Sequence, residues 1–134
     1  MSTVGFTNGC YDILHVGHLQ LLKYLKDRCN IVVVGIDSDS KVKSMKGDNR
    51  PFNNQNDRKF MLESLKFVDH VYVFNTKEEL TNLVKSVAPD LMVVGDDYKN
   101  KNVVGAEHAK NLHFFEKLDG YSTTKILQHT PNWR

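Results

Sequence analysis

Two histidines, His15 and His18, flank Val16 and Gly17 and close the stretch Thr7-Asn8-Gly9-Cys10-Tyr11-Asp12-Ile13-Leu14. An apolar run precedes this stretch and an amphipathic one, Leu19 to Lys26, follows it, so it reads as the junction of a strand with a helix. Such a junction gathers backbone N–H groups and the positive helix end at one point, a setting suited to a phosphate. A spacing of three residues at the first helical turn puts both imidazoles on one face, and Gly17 leaves room for a ligand to approach the main chain. The chemistry this spells is anion binding with two compact donors.

Other residue types extend the pattern. Lys46 lies in a polar stretch with Gly47 behind it, Arg58 opens an amphipathic run, and a guanidinium fork suits bidentate oxygen recognition. Ser122-Thr123-Thr124 after Asp119-Gly120 offers hydroxyls and a second helix start to a polyphosphate. Asp39 fits a helix cap as well as a ligand contact, and Asp96 and Asp97 fit a turn as well as a ribose or a metal-bound phosphate. Neither Gly-x-x-x-x-Gly-Lys-Ser/Thr nor Gly-x-Gly-x-x-Gly occurs, which argues against a P-loop kinase and a dinucleotide-binding dehydrogenase.

The elements that must position these groups follow from composition and patterning. The 134 residues suffice for one domain with a core, taken as residues 1–134. Apolar and charged fractions of 40% and 25% are those of a soluble globular protein, and a net charge of +2 gives no case for nucleic acid or membrane partners. No apolar run approaches the roughly 20 residues of a membrane span, and no basic-then-apolar leader begins the chain, so the expected location is cytoplasmic. Cys10 and Cys29 lack metal-ligand spacing and read as free thiols.

Strands are expected at Val4–Thr7, Ile31–Ile36, Val71–Phe74, Leu91–Val94 and Leu112–Phe115, with helical spacing between them. Thr76 with Glu79 forms a capping box, Asp37-Ser38-Asp39-Ser40 caps a short helix, 41–54 read as an exposed polar loop, and 55–67 as one helix. Residues 104–110 hold a turn or two, and Ser122 opens a last helix. This alternation predicts a Rossmann-like, doubly wound, mostly parallel five-stranded α/β sheet with helices on both faces. In such sheets ligands sit beyond the carboxyl ends of the strands, where Thr7, Asp37, Asn75 and Gly95 fall.

The string Gly9-Cys10-Tyr11-Asp12-Ile13-Leu14-His15-Val16-Gly17-His18 resembles the Gly-x-Phe-Asp-x-x-His-x-Gly-His signature of the cytidylyltransferase-like branch of the HxGH nucleotidyltransferase superfamily, with tyrosine for phenylalanine. The resemblance implies in-line attack by a phosphate oxygen of an acceptor on the α-phosphorus of a nucleoside triphosphate, releasing pyrophosphate. It makes His15, His18, Lys46 and Arg58 catalytic. It gives Thr7, Asn8, Gly9, Cys10, Tyr11, Gly17, Gly95, Asp97, Ser122, Thr123 and Thr124 to the nucleotide, and Asp12 and Asp39 to the acceptor. No metal ligand is expected from the protein; Mg²⁺ is expected on the substrate phosphates.

Lys46-Gly47-Asp48-Asn49-Arg50-Pro51, Val103-Val104-Gly105-Ala106-Glu107 and Gly120-Tyr121-Ser122-Thr123-Thr124 look like the adenylyltransferases acting on D-glycero-β-D-manno-heptose 1-phosphate. Gly95-Asp96-Asp97 and Ser122-Thr123-Thr124-Lys125-Ile126 are similar to glycerol-3-phosphate cytidylyltransferases, although Lys117 stands where those carry arginine. ATP with a sugar 1-phosphate is the favoured pair and CTP with glycerol 3-phosphate the alternative. A nucleotide-binding regulatory module is the reading of another class. Relatives of this kind are commonly homodimers, with residues such as 66–71 near the contact.

Overall fold

The computed structural model describes residues 2–116. The expected last helix, Lys117 and the Ser122-Thr123-Thr124 site lie outside the described residues. Strands β1 (Val4–Gly9), β2 (Ile31–Asp37), β3 (His70–Phe74), β4 (Leu91–Gly95) and β5 (Asn111–Phe115) form one sheet in the order β3-β2-β1-β4-β5. All four neighbouring pairs run parallel, so the described sheet is wholly rather than mostly parallel.

Helices α1 (Val16–Arg28) and α3 (Gln55–Glu63) cover one face and α4 (Lys77–Val87) the other, while α2 (Asp39–Lys46) sits at the end of β2. The period of two along β2 divides the core. Val32, Val34 and Ile36 meet Leu22, Leu25 and Leu62, whereas Val33 joins Phe6, Phe74 and Met92 against Leu80 and Val84. Strand order reverses between β1 and β4, and their ladder comprises only Gly5↔Leu91 and Phe6↔Met92. The carboxyl ends beyond Phe6 and Met92 are left unpaired with each other, which is the crevice such sheets offer to ligands.

Three boundaries differ from the sequence expectation, each for a local reason. Residues expected to start an exposed loop form α2, because Ser38 Oγ accepts from Lys41 N at 3.1 Å and Val42 is fully buried. One apolar anchor leaves no periodicity to read. Lys46 is therefore the last residue of α2, ended by Gly47 at φ 96°, and the irregular loop is only residues 47–54. The helix expected over 55–67 stops at Glu63: Ser64 Oγ donates to the Phe60 carbonyl at 2.8 Å and the chain turns so that Leu65, Phe67 and Val68 pack into the core. Residues 104–110 hold one 3₁₀ turn, Ala106–His108.

The Thr76–Glu79 cap forms with a shift. Thr76 Oγ1 accepts from Glu79 N at 3.1 Å, but the Glu79 carboxylate reaches back to Asn75 N at 3.0 Å.

Candidate active site

The helix α1 begins at Val16 because His15 caps it, with extended backbone at φ −140° and ψ 174°. Its Nδ1 accepts from Gly17 N at 3.1 Å, and His18 Nδ1 accepts from His15 N at 3.3 Å. The two rings stack with centroids 3.8 Å apart and planes 24° apart. An imidazole nitrogen that accepts a hydrogen bond carries no proton, so in both rings the N–H is on Nε2, at the far side from the main chain. Reciprocal capping thus fixes tautomer and aim together. Two N–H donors stand side by side at a helix start. The Gly17 N–H is itself occupied by the cap, so what Gly17 offers a ligand is space.

Behind the histidines the chain is held by burial. Tyr11 takes a positive φ of 53° and lies 5% exposed, its ring 4.9 Å from that of His18. Burial pushes its phenol up to about 12, against the effect of a hydrogen bond with Thr7. Thr7 is 1% exposed. Both were expected on the nucleotide; their side chains instead brace the turn, because the alternation of β1 points Thr7 into the α1 face of the core.

Asp12 and Arg58, expected at the acceptor and in catalysis, are both buried in hydrogen bonds to the chain itself. The Asp12 carboxylate, 1% exposed, accepts from Arg50 Nε at 3.1 Å, Phe52 N at 2.8 Å and Asn53 N at 2.8 Å. It ties the 47–54 loop to the histidine turn. Arg58 is fully buried. Its Nε donates to the Asn53 carbonyl, its Nη1 to those of Cys10 and Asp37, and its Nη2 to Asp39 Oδ1 at 2.9 Å. The guanidinium fork grips the ends of β1 and β2 and the loop before α3. Asp39, half-buried on the first turn of α2, has one oxygen committed to this grip.

At the carboxyl ends of the strands, on the α4 side, lies a cavity of about 410 Å³. Asn8, Gly9 and Cys10 from β1 and its exit, Lys41 and Lys46 from α2, and Asp37 from the end of β2 are among its walls. The structure therefore brings Lys46 together with the β1 exit, as expected. His15 and His18 stand at the start of α1, which leaves that same β1 exit, and do not line this cavity. Gly95 ends β4 and begins the short turn Asp96–Tyr98 that carries Asp97. Burial pushes the Cys10 thiol up, against the pull of Lys46 and Arg58, so it is no ready nucleophile.

Sequence reasoning set Asp37 at the ligand end of the sheet without giving it a role, and passed over Lys41. Their i, i+4 spacing across a strand end and the helix that follows was the available signal. Among the described residues no three His, Cys, Asp or Glu side chains are grouped as metal ligands. Ammonium groups in the cavity wall and imidazole N–H groups at the neighbouring helix start suit phosphate oxygens, which could carry a hard cation with them.

A family profile described as Cytidylyltransferase-like matches residues 6–129. The chain is 48% identical over 125 residues to the Bifunctional protein HldE of Campylobacter fetus subsp. fetus (strain 82-40), covering 93% of this chain and 27% of that protein. For the Bifunctional protein HldE of Helicobacter pylori (strain Shi470) identity is 45% over 123 residues, 92% of this chain and 26% of that one. The chain thus spans about a quarter of the length of these relatives. Among solved structures, the lipopolysaccharide core biosynthesis protein from Thermoplasma volcanium GSS1 superposes with a TM-score of 0.68 at 24% identity, over 89% of this chain and 100% of that one. Pantothenate synthetase from Thermus thermophilus gives 0.66 at 16% identity, over 96% of this chain and 62% of that one. At these identities the structural likeness speaks for the fold.

Proposed function

The chain belongs to the cytidylyltransferase-like family, and on that premise we propose that it is a nucleotidyltransferase moving AMP from ATP to a sugar 1-phosphate of the D-glycero-β-D-manno-heptose type. The observation that carries this reading is the pair of mutually capped histidines whose Nδ1 atoms are both occupied by backbone N–H groups. That lock puts both imidazole N–H groups on Nε2, beside each other at a helix start, suited to charge building on a polyphosphate. High identity to the HldE proteins over more than nine-tenths of this chain supports the choice of acceptor class.

In the reaction an oxygen of the acceptor phosphate attacks the α-phosphorus in line. A new O–Pα bond forms, the bond from Pα to the bridging oxygen breaks, and pyrophosphate leaves with the electron pair. The attacking phosphate is already ionised near neutral pH, so no general base is needed, and catalysis is positioning plus charge stabilisation. His15 and His18 hold the nucleotide phosphates, and Lys46, on the cavity wall, holds the acceptor phosphate or the α-phosphoryl oxygens. Arg58 and Asp12 position the loops that present them. Asn8, Gly9 and Cys10 give the main chain over which the nucleotide lies, with Gly95, Asp97, Ser122, Thr123 and Thr124 assigned to it by resemblance. Mg²⁺, bound on the phosphates, supplies further charge neutralisation. We place the protein in the cytoplasm as a homodimer.

Pyrophosphate release with Mg²⁺, each of ATP and CTP, and a panel of phosphorylated acceptors tests the reading. Turnover with ATP and heptose 1-phosphate is the expected result. Turnover confined to CTP and glycerol 3-phosphate, or no turnover with any pair, refutes it.

A further inference from the structure

The wall of the cavity beside the β1 exit contains a carboxylate that the fold holds only by a loose ion pair. Asp37 is 8% exposed, and its backbone carbonyl is taken by Arg58 Nη1. Its side chain accepts no hydrogen bond from any described residue; the nearest cation, Lys41 Nζ, stands 3.9 Å from Oδ1, beyond hydrogen-bond reach. Burying a carboxylate without donors is costly, and burial accordingly pushes the Asp37 carboxyl up, against Lys41, Arg58 and Lys46. A second acceptor in the same wall is also unmet: the Asn8 Oδ1 atom is buried with no hydrogen-bond partner among the described residues.

The surroundings decide what could satisfy it. Lys41, Lys46 and Lys77 line the cavity with Asp37. Three lysines in the wall of a cavity that holds one such carboxylate disfavour a metal ion or a cationic acceptor such as an amino-alcohol phosphate. They favour a ligand that is anionic at one end and presents neutral O–H donors at the other. We infer that Asp37 is a specificity-determining residue that takes the hydroxyl hydrogens of a polyhydroxylated acceptor phosphate, whose phosphate the lysines hold. This rests on the nucleotidyltransferase reading above and narrows its acceptor to sugar phosphates chosen by their hydroxyls.

A nucleotide ribose offers the same diol chemistry. Position favours the acceptor: Asp37 ends β2, on the β3 side of the cavity, across β1 from the Val94 and Tyr98 wall at the end of β4.

The test compares wild type with Asp37→Asn and Asp37→Ala in pyrophosphate release, varying ATP and D-glycero-β-D-manno-heptose 1-phosphate separately. Removing a charged acceptor from ligand hydroxyls raises the KM for the sugar phosphate about tenfold or more, with the KM for ATP within about twofold. A series of monodeoxy sugar phosphates finds the hydroxyl concerned, since its removal penalises wild type and leaves Asp37→Ala indifferent. Thermal midpoints equal to or above that of wild type show that the effect is not unfolding. An unchanged KM for the sugar phosphate overturns the inference. So does a penalty that falls on ATP and disappears with 2′-deoxy-ATP or 3′-deoxy-ATP, which assigns Asp37 to the ribose. In both cases the active wild type leaves the proposed function standing; a wild type inactive with every sugar 1-phosphate removes that reading and this inference with it.

Discussion

His15 serves the fold through Nδ1 and, in the proposed reaction, the chemistry through Nε2, and a substitution can separate the two. An asparagine side chain places its carbonyl oxygen near the position of Nδ1 and ends there. His15→Asn therefore keeps an acceptor for the Gly17 N–H, now held at 3.1 Å, and has nothing where Nε2–H stood. Asparagine is among the best N-cap residues, so stability should hold within a few tenths of a kcal/mol. His15→Ala removes the cap, costing about 1 kcal/mol. It also removes the ring stacked at 3.8 Å on His18, a contact worth up to about 1 kcal/mol more. For a chain of this size a loss of about 1–2 kcal/mol lowers the thermal midpoint by about 4–8 °C. Turnover should respond in a different pattern. Loss of one preorganised donor onto developing charge costs about 10²–10³ in kcat, so both variants should be slow although only alanine is unstable. His15→Gln is the converse: its longer amide reaches toward the Nε2 position without capping well. Scanning calorimetry and pyrophosphate release on the three variants read this out. Wild-type kcat in His15→Asn would show that Nε2–H is not used, and equal midpoints for asparagine and alanine would show that the cap adds nothing to stability.

Arg58→Lys should be a folding defect first. A lysine cannot span the carbonyls of Asn53, Cys10 and Asp37 and the Asp39 carboxylate that the guanidinium now joins, and breaking such a buried set costs about 3 kcal/mol. Equilibrium urea unfolding that shows less than about 1 kcal/mol lost would return Arg58 to the role of a phosphate ligand. Gly105→Ala sets a Cβ 2.7 Å from Val84 Cγ2 at a residue with φ 85°, so the turn must shift off α4. A loss of about 1–3 kcal/mol is expected by the same assay, and a neutral variant would mean the contact yields freely. For Asp37 the folded carboxyl lies above its ordinary 3.8 because of burial. The folded state then holds that proton more tightly than the unfolded chain, and stability declines as pH rises from 3.8 through the folded value. Asp37→Asn escapes this decline. Its advantage over wild type in urea unfolding should be present at about pH 7 and vanish toward about pH 3; a variant less stable at neutral pH contradicts the sign.

The fold was legible wherever periodicity was strong. The β-branched run of β2 and the apolar positions of α1, α3 and α4 gave strand and helix identities that hold to within a few residues, because each element buries a face large enough to pattern its sequence. Helix α2 was illegible beyond its cap for the opposite reason. It buries Val42 alone, and its stability comes from Ser38 and from the Asp39–Arg58 ion pair, a contact 19 residues away in sequence. The early end of α3 has the same character, set by a serine hydroxyl that takes the Phe60 carbonyl. Long-range polar partners leave no local period.

The site shows the limit more sharply, since residue type announces a chemistry but burial decides who receives it. Two of the most eloquent residues in the sequence, Asp12 and Arg58, are among the least exposed in the structure, and their hydrogen bonds run to the chain itself. They sit beside the histidine turn, where loops that present donors to a polyphosphate in the proposed reaction would need a rigid support, and charged groups supply it only when buried and matched. Asp37 is the inverse case. It looked like a helix-capping residue, yet Ser38 caps α2 and the Asp37 carboxylate, largely buried, has only a loose ion pair with Lys41 at 3.9 Å. A stable fold leaves such a group unmet only where some other gain offsets the cost. In this chain the positions where the sequence pattern and the hydrogen bonding disagree, Asp12 and Arg58 on one side of the β1 exit and Asp37 on the other, mark the boundary between the scaffold of the site and the part left for a ligand to complete.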